Sequence, residues 1–433
     1  MKKTKLSSKF WVALTIFSLV GQVAWVVENM YFNVFIYKMF HASAEDISMM
    51  VSASAISATV TTILIGALSD KIGKRKLFIC SGYILWGISI WSFSLIRVDV
   101  IEKLFSMTIS AASVGVSLVI IMDCVMTFFG SAANDACFNA WLTDVTDDTN
   151  RGAAEGINSM MPLVAILVVF GSFMGFDLNR AESWTTIYTI IGVVVFFLGI
   201  MAIFLVKDTP IDTSQNQNYW GNIFYGFRPS VIKKNKLYYI ILAAFATFCI
   251  SIQIFMPYLI LYYNVSLGMN NYVLIMAPAV IVAAIVTAFY GRVYDRFGFR
   301  NAIMPAIGVL MIGYILLYLF KMTSFVFVGS LFMMSGYLMG MAIFGAMLRD
   351  YTPQNRAGMF QGLRIVGQVL IPGIVGPWIG ALVLKNAETI LNDDGTASFI
   401  PNANIFLSAL IAACFIWLIL AVIFKLTKKV EED

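Results

Sequence analysis

The sequence predicts an all-α polytopic membrane protein, with twelve transmembrane helices arranged in two six-helix bundles. Its 433 residues are 60% hydrophobic and only 12% charged, with a mean hydropathy of +0.84, far from the roughly 25% charged residues of soluble domains. Twelve apolar runs are each long enough to cross about 30 Å of hydrocarbon at about 1.5 Å per residue. A charged segment also occurs twice. Gly66-Ala-Leu-Ser-Asp70-Lys-Ile-Gly73-Lys-Arg75 returns 225 positions later as Gly291-Arg-Val-Tyr-Asp295-Arg-Phe-Gly298-Phe-Arg300. Each copy lies between two apolar runs, so the chain is an internal duplication, the usual construction of a membrane transporter.

In chain order the spans fall near residues 11 to 36, 47 to 68, 77 to 96, 112 to 141, 154 to 176 and 185 to 206, then 238 to 263, 271 to 291, 301 to 320, 324 to 347, 359 to 384 and 403 to 425. The longest polar connection follows the sixth span and carries Thr-Ser-Gln-Asn-Gln-Asn at 213–218 and the basic cluster Lys233, Lys234, Lys236. The expected domains are therefore a bundle over residues 1–206, a linker over 207–236 and a second bundle over 237–433.

Orientation follows from Lys and Arg, which cytoplasmic loops retain. Of the 29, 22 fall on the side of the two termini, the linker and the duplicated turns, only six (Lys38, Arg97, Lys103, Arg180, Lys321, Lys385) fall on the other, and Arg364 lies within a span. Both termini and the linker are thus expected in the cytoplasm and the protein in the cell membrane. The net charge of +5 is this topology signal and not a nucleic-acid footprint. Lys2, Lys3 and Lys5 ahead of an apolar run suggest a signal peptide, but the first run is too long, contains Glu28 and Asn29 and lacks a small-residue cleavage site. Cysteines 80, 124, 137, 249 and 414 have no paired spacing, so neither a disulfide framework nor a metal site is indicated. No cofactor motif and no Ser-His-Asp set is present, and His41, the single histidine, falls in the first outer loop. An enzyme is therefore not expected.

A second repeat accompanies the first. Asp144-Val-Thr146, then Arg151-Gly152 and Gly156, is matched by Asp350-Tyr-Thr352, then Arg356-Ala-Gly358 and Gly362, with both glycine pairs 206 positions apart. In each half these residues stand at the turn from the fourth helix to the fifth. The pattern Gly-x-x-x-Asp-Lys/Arg-x-Gly-x-Arg between the second and third helices, echoed between the eighth and ninth, resembles the signature of the major facilitator superfamily, and the resemblance covers the whole chain. It implies alternating access, with two bundles rocking around one midplane site. It also implies a gating role, without substrate contact, for Asp70, Arg75, Asp144, Arg151, Asp295, Arg300, Asp350 and Arg356.

Two local matches go further. Gly21-Gln22-Val-Ala-Trp25-Val-Val-Glu28 resembles the start of the sucrose-transporter branch of the glycoside-pentoside-hexuronide cation symporters. Asn139-Ala-Trp-Leu-Thr-Asp144-Val-Thr-Asp-Asp-Thr-Asn-Arg151 is similar to a loop of the same branch. The Asp and Arg that the branch places ahead of this loop have no counterpart at matching spacing. Asp123 lies 21 residues before Asp144 and Asp135 nine before, with no Arg between. A sugar substrate and proton coupling are thus implied by the resemblance and not by matched residues.

Ionisable groups inside a bilayer are costly unless they face a cavity or a partner. Four occur: Glu28, Asp123, Asp135 and Arg364. Spacings of three and four put Gln22, Trp25, Glu28 and Asn29 on one helical face, where amide, carboxylate and indole suit a sugar's hydroxyls and C–H faces. Asp123 and Asp135 are twelve residues apart, about 18 Å along a regular helix and about 120° around it, too far for a dyad. A carboxylate out of water resists ionisation and is able to carry a proton near neutral pH. Asp123, with the more apolar neighbours, is the expected proton carrier and Glu28 the next. Asp135 and Asn139, and in the second half Gln253, Tyr263, Arg364 and Gln368, are expected to bind substrate, Arg364 and Gln368 standing one turn apart. A structural ion pair between Arg364 and one carboxylate is the plain alternative.

The expected partners are a small-molecule substrate, a coupling cation (a proton, with sodium open) and the lipid bilayer, with no nucleic acid and a functional monomer. The competing function is efflux of an amphipathic drug or lipid by proton antiport, which the aromatic and Met-rich spans favour and the number of midplane polar residues disfavours.

Overall fold

The computed structural model describes residues 6–104, 110–147, 150–208, 225–352, 357–392 and 396–432. Among them, twelve helices are long and apolar enough to cross a membrane: α1 Ser8–Phe40, α2 Ala44–Ile72, α3 Arg75–Leu95, α4 Ala111–Val145, α5 Arg151–Phe173, α6 Ala181–Leu205, α7 Lys236–Ser266, α8 Val273–Tyr290, α9 Arg292–Leu319, α10 Thr323–Asp350, α11 Gly362–Leu384 and α12 Asn404–Thr427. All twelve predicted spans are present. Large apolar side chains such as Phe204, Leu382 and Leu418 stand outward and exposed, as a lipid-facing surface requires. A small antiparallel hairpin, Thr389–Leu391 with Ala397–Phe399, joins α11 to α12.

The duplication is written into the backbone. Gly73 (φ 70°) and Gly298 (φ 75°) hold equivalent places in the two charged segments, and both adopt the left-handed conformation that side chains disfavour. In the first half Gly73 separates α2 from α3. In the second half the expected polar turn over 291–300 is instead helical from Val273 through Leu319, broken only at Gly298. One glycine is enough to redirect the chain, so the charged residues on either side remain helical.

Four spans contain wider, π-helical stretches: Val27–Phe32 in α1, Ser131–Phe138 in α4, Tyr262–Ser266 in α7 and Val366–Leu370 in α11. Such stretches break the i, i+4 ladder and concentrate at functional sites. Here they carry Glu28, Asp135, Tyr263 and Gln368.

Contacts divide the chain into two compact units, one of Met1–Ala42 with Ala53–Ile223, the other of Ser43–Ser52 with Phe224–Asp433. In unit 1, α3 and α6 meet through glycine. A Cβ on Gly87 would lie 2.3 Å from the Phe196 nitrogen, and one on Gly199 would lie 2.6 Å from the Ile84 nitrogen. In unit 2 the same device joins α9 to α10 at Gly313 and α7 to α11 at Gly376. With no hydrophobic drive between helices in lipid, backbone approach of this kind supplies much of the cohesion.

Candidate functional site

In unit 1 the site begins where α1 widens. Glu28 turns inward and is 7% exposed. Asn29 stays exposed and donates its amide to the Trp25 carbonyl at 2.8 Å. The single face expected for Gln22, Trp25, Glu28 and Asn29 is thereby split, because the π-turn adds a residue between the positions a regular helix would stack. Gln22 is half-buried one turn before Trp25.

Glu28 Oε1 accepts from the Ser54 hydroxyl of α2 at 2.5 Å and the Thr127 hydroxyl of α4 at 2.9 Å, and those two oxygens are 3.0 Å apart. Glu28 Oε2 has no hydrogen-bond partner, and neither has Asp123 Oδ1 or the Tyr188 hydroxyl, all of them buried. Asp123, 1% exposed, feels the charge of Glu28 and acts electrostatically on Tyr188.

Asp135 lies in the widened part of α4, where the regular helical phase no longer holds. It accepts from the Ser131 hydroxyl at 3.0 Å and from the Asn134 amide at 3.4 Å. The Trp25 indole N–H is near enough to interact with it but outside hydrogen-bond geometry. Tyr83 of α3 donates to Asn134 Oδ1 at 2.8 Å. This bond crosses over Gly21, where a Cβ would come within 2.7 Å of Asn134 Oδ1. Trp25 packs on Trp86 with ring centres 5.0 Å apart, and Gly130 makes the room for both rings. Asn139 is exposed and donates to the Asp135 carbonyl at 3.2 Å.

Asp123 and Asp135, expected to be too far apart for a dyad, are linked only through Glu28, on which Asp135 acts and which in turn acts on Asp123. Among the groups that act on any of the three carboxylates there is no cation. Carboxylates linked in this way through Glu28 and held in poor contact with water repel one another by several kcal/mol when charged, so the cluster favours a bound proton or other small cation.

A second cluster in unit 1 gathers three of the residues assigned to gating. Arg75 is 5% exposed. Its guanidinium touches the Asp70 carboxylate, reaches Asp144 Oδ2 at 3.1 Å and donates to the Ser69 hydroxyl. Arg151 does not join it. That side chain folds back on the turn after α4, donating to the Thr143 carbonyl at 3.3 Å and the Thr146 carbonyl at 3.1 Å.

Unit 2 is arranged differently. Asp350 accepts from the Tyr294 hydroxyl, and Arg300 lies over the Phe424 ring at 5.3 Å. Among the described residues, neither Asp295 nor Arg300 takes part in an ion pair, so the Asp-Arg arrangement of the first half is not repeated. Arg356 lies outside the described residues. Tyr263 is fully buried, its hydroxyl engaged with Ser330 at 2.7 Å, which places it in packing and away from any open face. Gln253 packs its Cβ against Gly376. Arg364 is the eighth residue of the helix Ala357–Ile365, which leads into the widened stretch of α11; its Nε donates to Gln368 Oε1 at 3.2 Å.

Sequence reading missed Ser54, Thr127, Tyr83 and Tyr188. Thr127 was within reach of it, standing four residues after Asp123 and hence on the same helical face. The other three come from separate helices, and only tertiary packing brings them in.

The sequence matches the model of the Major Facilitator Superfamily over residues 11–377. No curated protein sequence matches it. Solved structures share the fold. A bacterial homologue of the human lysosomal transporter Spinster, inward-facing and unoccupied, aligns with TM-score 0.72 and 14% identity over 97% of this chain and 99% of that one. The nucleoside transporter NupG gives 0.70 and 15% over 96% and 98%. The xylose transporter XylE from E. coli gives 0.67 and 14% over 95% and 98%. At these identities the likeness speaks for the fold and not for a substrate.

Proposed function

We propose, for a chain that belongs to the Major Facilitator Superfamily and is therefore a membrane transporter and not an enzyme, that it imports a sugar or glycoside together with a proton by alternating access. The triangle of Glu28 Oε1, Ser54 and Thr127, with edges of 2.5, 2.9 and 3.0 Å, carries this reading. A hydroxyl owns one hydrogen, so the two hydroxyls supply two hydrogens to three contacts. The third edge is satisfied when Glu28 holds a proton. Asp123, with an unpartnered oxygen beside it, is the group to which that proton passes or with which it is shared.

Substrate recognition falls to Trp25, Gln22, Asn29, Asp135 and Asn139, whose indole, amides and carboxylate suit a polyhydroxylated ring. The local resemblance to the sucrose-transporter branch, and the xylose and nucleoside carriers among the structural neighbours, support a substrate of this kind. The charge distribution supports a cell-membrane location with both termini in the cytoplasm. The cluster at Arg75 is then an inner gate, and the carrier works as a monomer.

Proteoliposomes carrying an inside-negative or inside-alkaline gradient test the proposal. One proton per sugar at one unit of pH difference supports about tenfold accumulation. Asp123→Asn removes the titrating oxygen and keeps the shape. Accumulation is expected to vanish while exchange of internal for external sugar survives, because exchange needs movement of the loaded carrier and no proton release. If Asp123→Asn still concentrates sugar on a proton gradient alone, Asp123 is not the carrier. Accumulation that follows a sodium gradient instead overturns the proton as coupling ion.

A further inference from the structure

Unit 1 holds a cavity that the transport cycle proposed above does not use. It measures about 380 Å³ and lies at one end of α1, α3 and α6, with the short helix Val98–Leu104 completing it. Every residue that lines it belongs to unit 1. Phe35, Met39, Phe93, Ile96 and Trp184 make much of the lining apolar. The three aromatic side chains are taken up in packing, Phe35 on Trp184 at 5.2 Å and Phe93 on Phe32 at 4.6 Å between ring centres, and all three are buried. They offer an apolar wall and no open aromatic face. Trp91 and Leu95 of α3 and Leu104 of the short helix are exposed, which sets the cavity at the boundary between hydrocarbon and headgroups, where exposed tryptophan collects.

Charged groups line the same cavity. Arg97 Nε donates to Asp99 Oδ1 at 2.9 Å, while Nη2 stays 4.0 Å from Glu182 Oε1, outside hydrogen-bond reach. Most of the guanidinium's N–H donors are therefore left for a ligand. Glu102, also on the lining, is exposed and forms no ion pair among the described residues. A ligand of negative charge alone would meet two carboxylates, and one of positive charge alone would meet Arg97. A zwitterion suits both. We propose that the cavity binds the headgroup of phosphatidylethanolamine from the bilayer, with its phosphate on Arg97, its ammonium between Asp99 and Glu102, and the start of an acyl chain against the apolar wall. Paired guanidinium N–H groups match phosphate oxygens, and a primary ammonium has N–H donors for both carboxylates. A trimethylammonium has none and needs an open aromatic cage, which the packed rings withhold. A volume at the lower end of the roughly 300–1,000 Å³ of small-molecule sites takes the headgroup and leaves most of both chains in the bilayer.

Dihexanoyl phosphatidylethanolamine, phosphatidylcholine and phosphatidylglycerol, titrated singly onto the full chain in detergent and counted by native mass spectrometry, test this. The wild type is expected to bind the ethanolamine lipid about tenfold or more tightly than the other two, the range of a charge-assisted hydrogen-bonded contact. Asp99→Asn with Glu102→Gln is expected to bring the ethanolamine and choline lipids level. Arg97→Gln is expected to weaken both of them together, because it removes the phosphate contact that they share. These side chains are wholly or partly exposed, so folding is expected to survive, and a monodisperse size-exclusion peak checks it. Choline or glycerol lipid bound as tightly as ethanolamine lipid by the wild type, or an ethanolamine preference that persists in the Asp99→Asn, Glu102→Gln variant, overturns the inference. Phosphoethanolamine without chains is expected to displace little of the bound lipid. Displacement at equal concentration would assign the cavity to a soluble zwitterion and overturn the bilayer as its source.

Discussion

Replacing Arg75 by Gln removes the shared cation of the Asp70–Arg75–Asp144 cluster, and its cost follows from exposure. The Arg75 side chain is 6% exposed, whereas Asp144 is 25% and Asp70 43% exposed. Breaking a fully buried ion pair from one side costs about 3–5 kcal/mol. Water screens both carboxylates here, so about 2–3 kcal/mol is expected, most of it from Asp144. Asp144→Asn leaves Arg75 with Asp70 and is expected to cost about 1 kcal/mol, and Asp70→Asn less. Because Arg75 and Asp144 touch, the double variant is expected to fall short of the sum of the two single losses by about 1 kcal/mol. At roughly 2 °C per kcal/mol, thermal unfolding in detergent followed by tryptophan fluorescence should drop by roughly 5 °C for Arg75→Gln. A larger loss for Asp70→Asn than for Arg75→Gln, or strict additivity of Arg75→Gln with Asp144→Asn, would refute the assignment of Arg75 as the buried centre of the cluster.

Gly87→Ala places a methyl 2.3 Å from the Phe196 nitrogen and must push α3 from α6, an overpacking cost of about 1–3 kcal/mol. Gly171→Ala, which meets nothing within 4 Å, is the matched control, and the yield of monodisperse protein on size exclusion should fall only for the first. Gly298→Ala forces a side chain into φ 75° at a cost of about 1–3 kcal/mol, while Gly298→Asn should cost less. Equal unfolding midpoints for the two would show that the left-handed turn relaxes.

The twelve spans and the duplication were legible because they depend on local quantities, run length and motif spacing, that a bilayer enforces directly. Gly73 and Gly298 were legible as a repeat before their dihedral angles explained it. The candidate site was legible in part. Glu28, Asp123 and Asp135 stand out as acids in apolar runs, but the place of Glu28 as the link between the two aspartates was not legible, since it depends on how α1 packs against α4. Ser54 and Tyr83 are ordinary residues on α2 and α3, made significant by neighbours far away in sequence. Tyr263 looked like a binding residue because polarity in a span draws attention, whereas a buried Ser330 hydroxyl satisfies it. Asp295 and Arg300 repeat the motif of the first half without its ion pair, so sequence symmetry did not guarantee symmetry of contacts.

The widened stretch Ser131–Phe138 divides α4 into two lengths whose angular settings are independent. The length before it is indexed to Glu28 and Ser57, through Thr127 and the Cys124 carbonyl. The length after it is indexed to Arg75 and, through the Trp141 indole, to the Lys207 carbonyl. Each residue gained or lost in a regular helix rotates everything beyond it by about 100°, which would break one of these two alignments. A π-turn absorbs that residue, so the end of the helix that meets Glu28 and the end that meets Arg75 keep separate angular settings, like two dials on a common shaft.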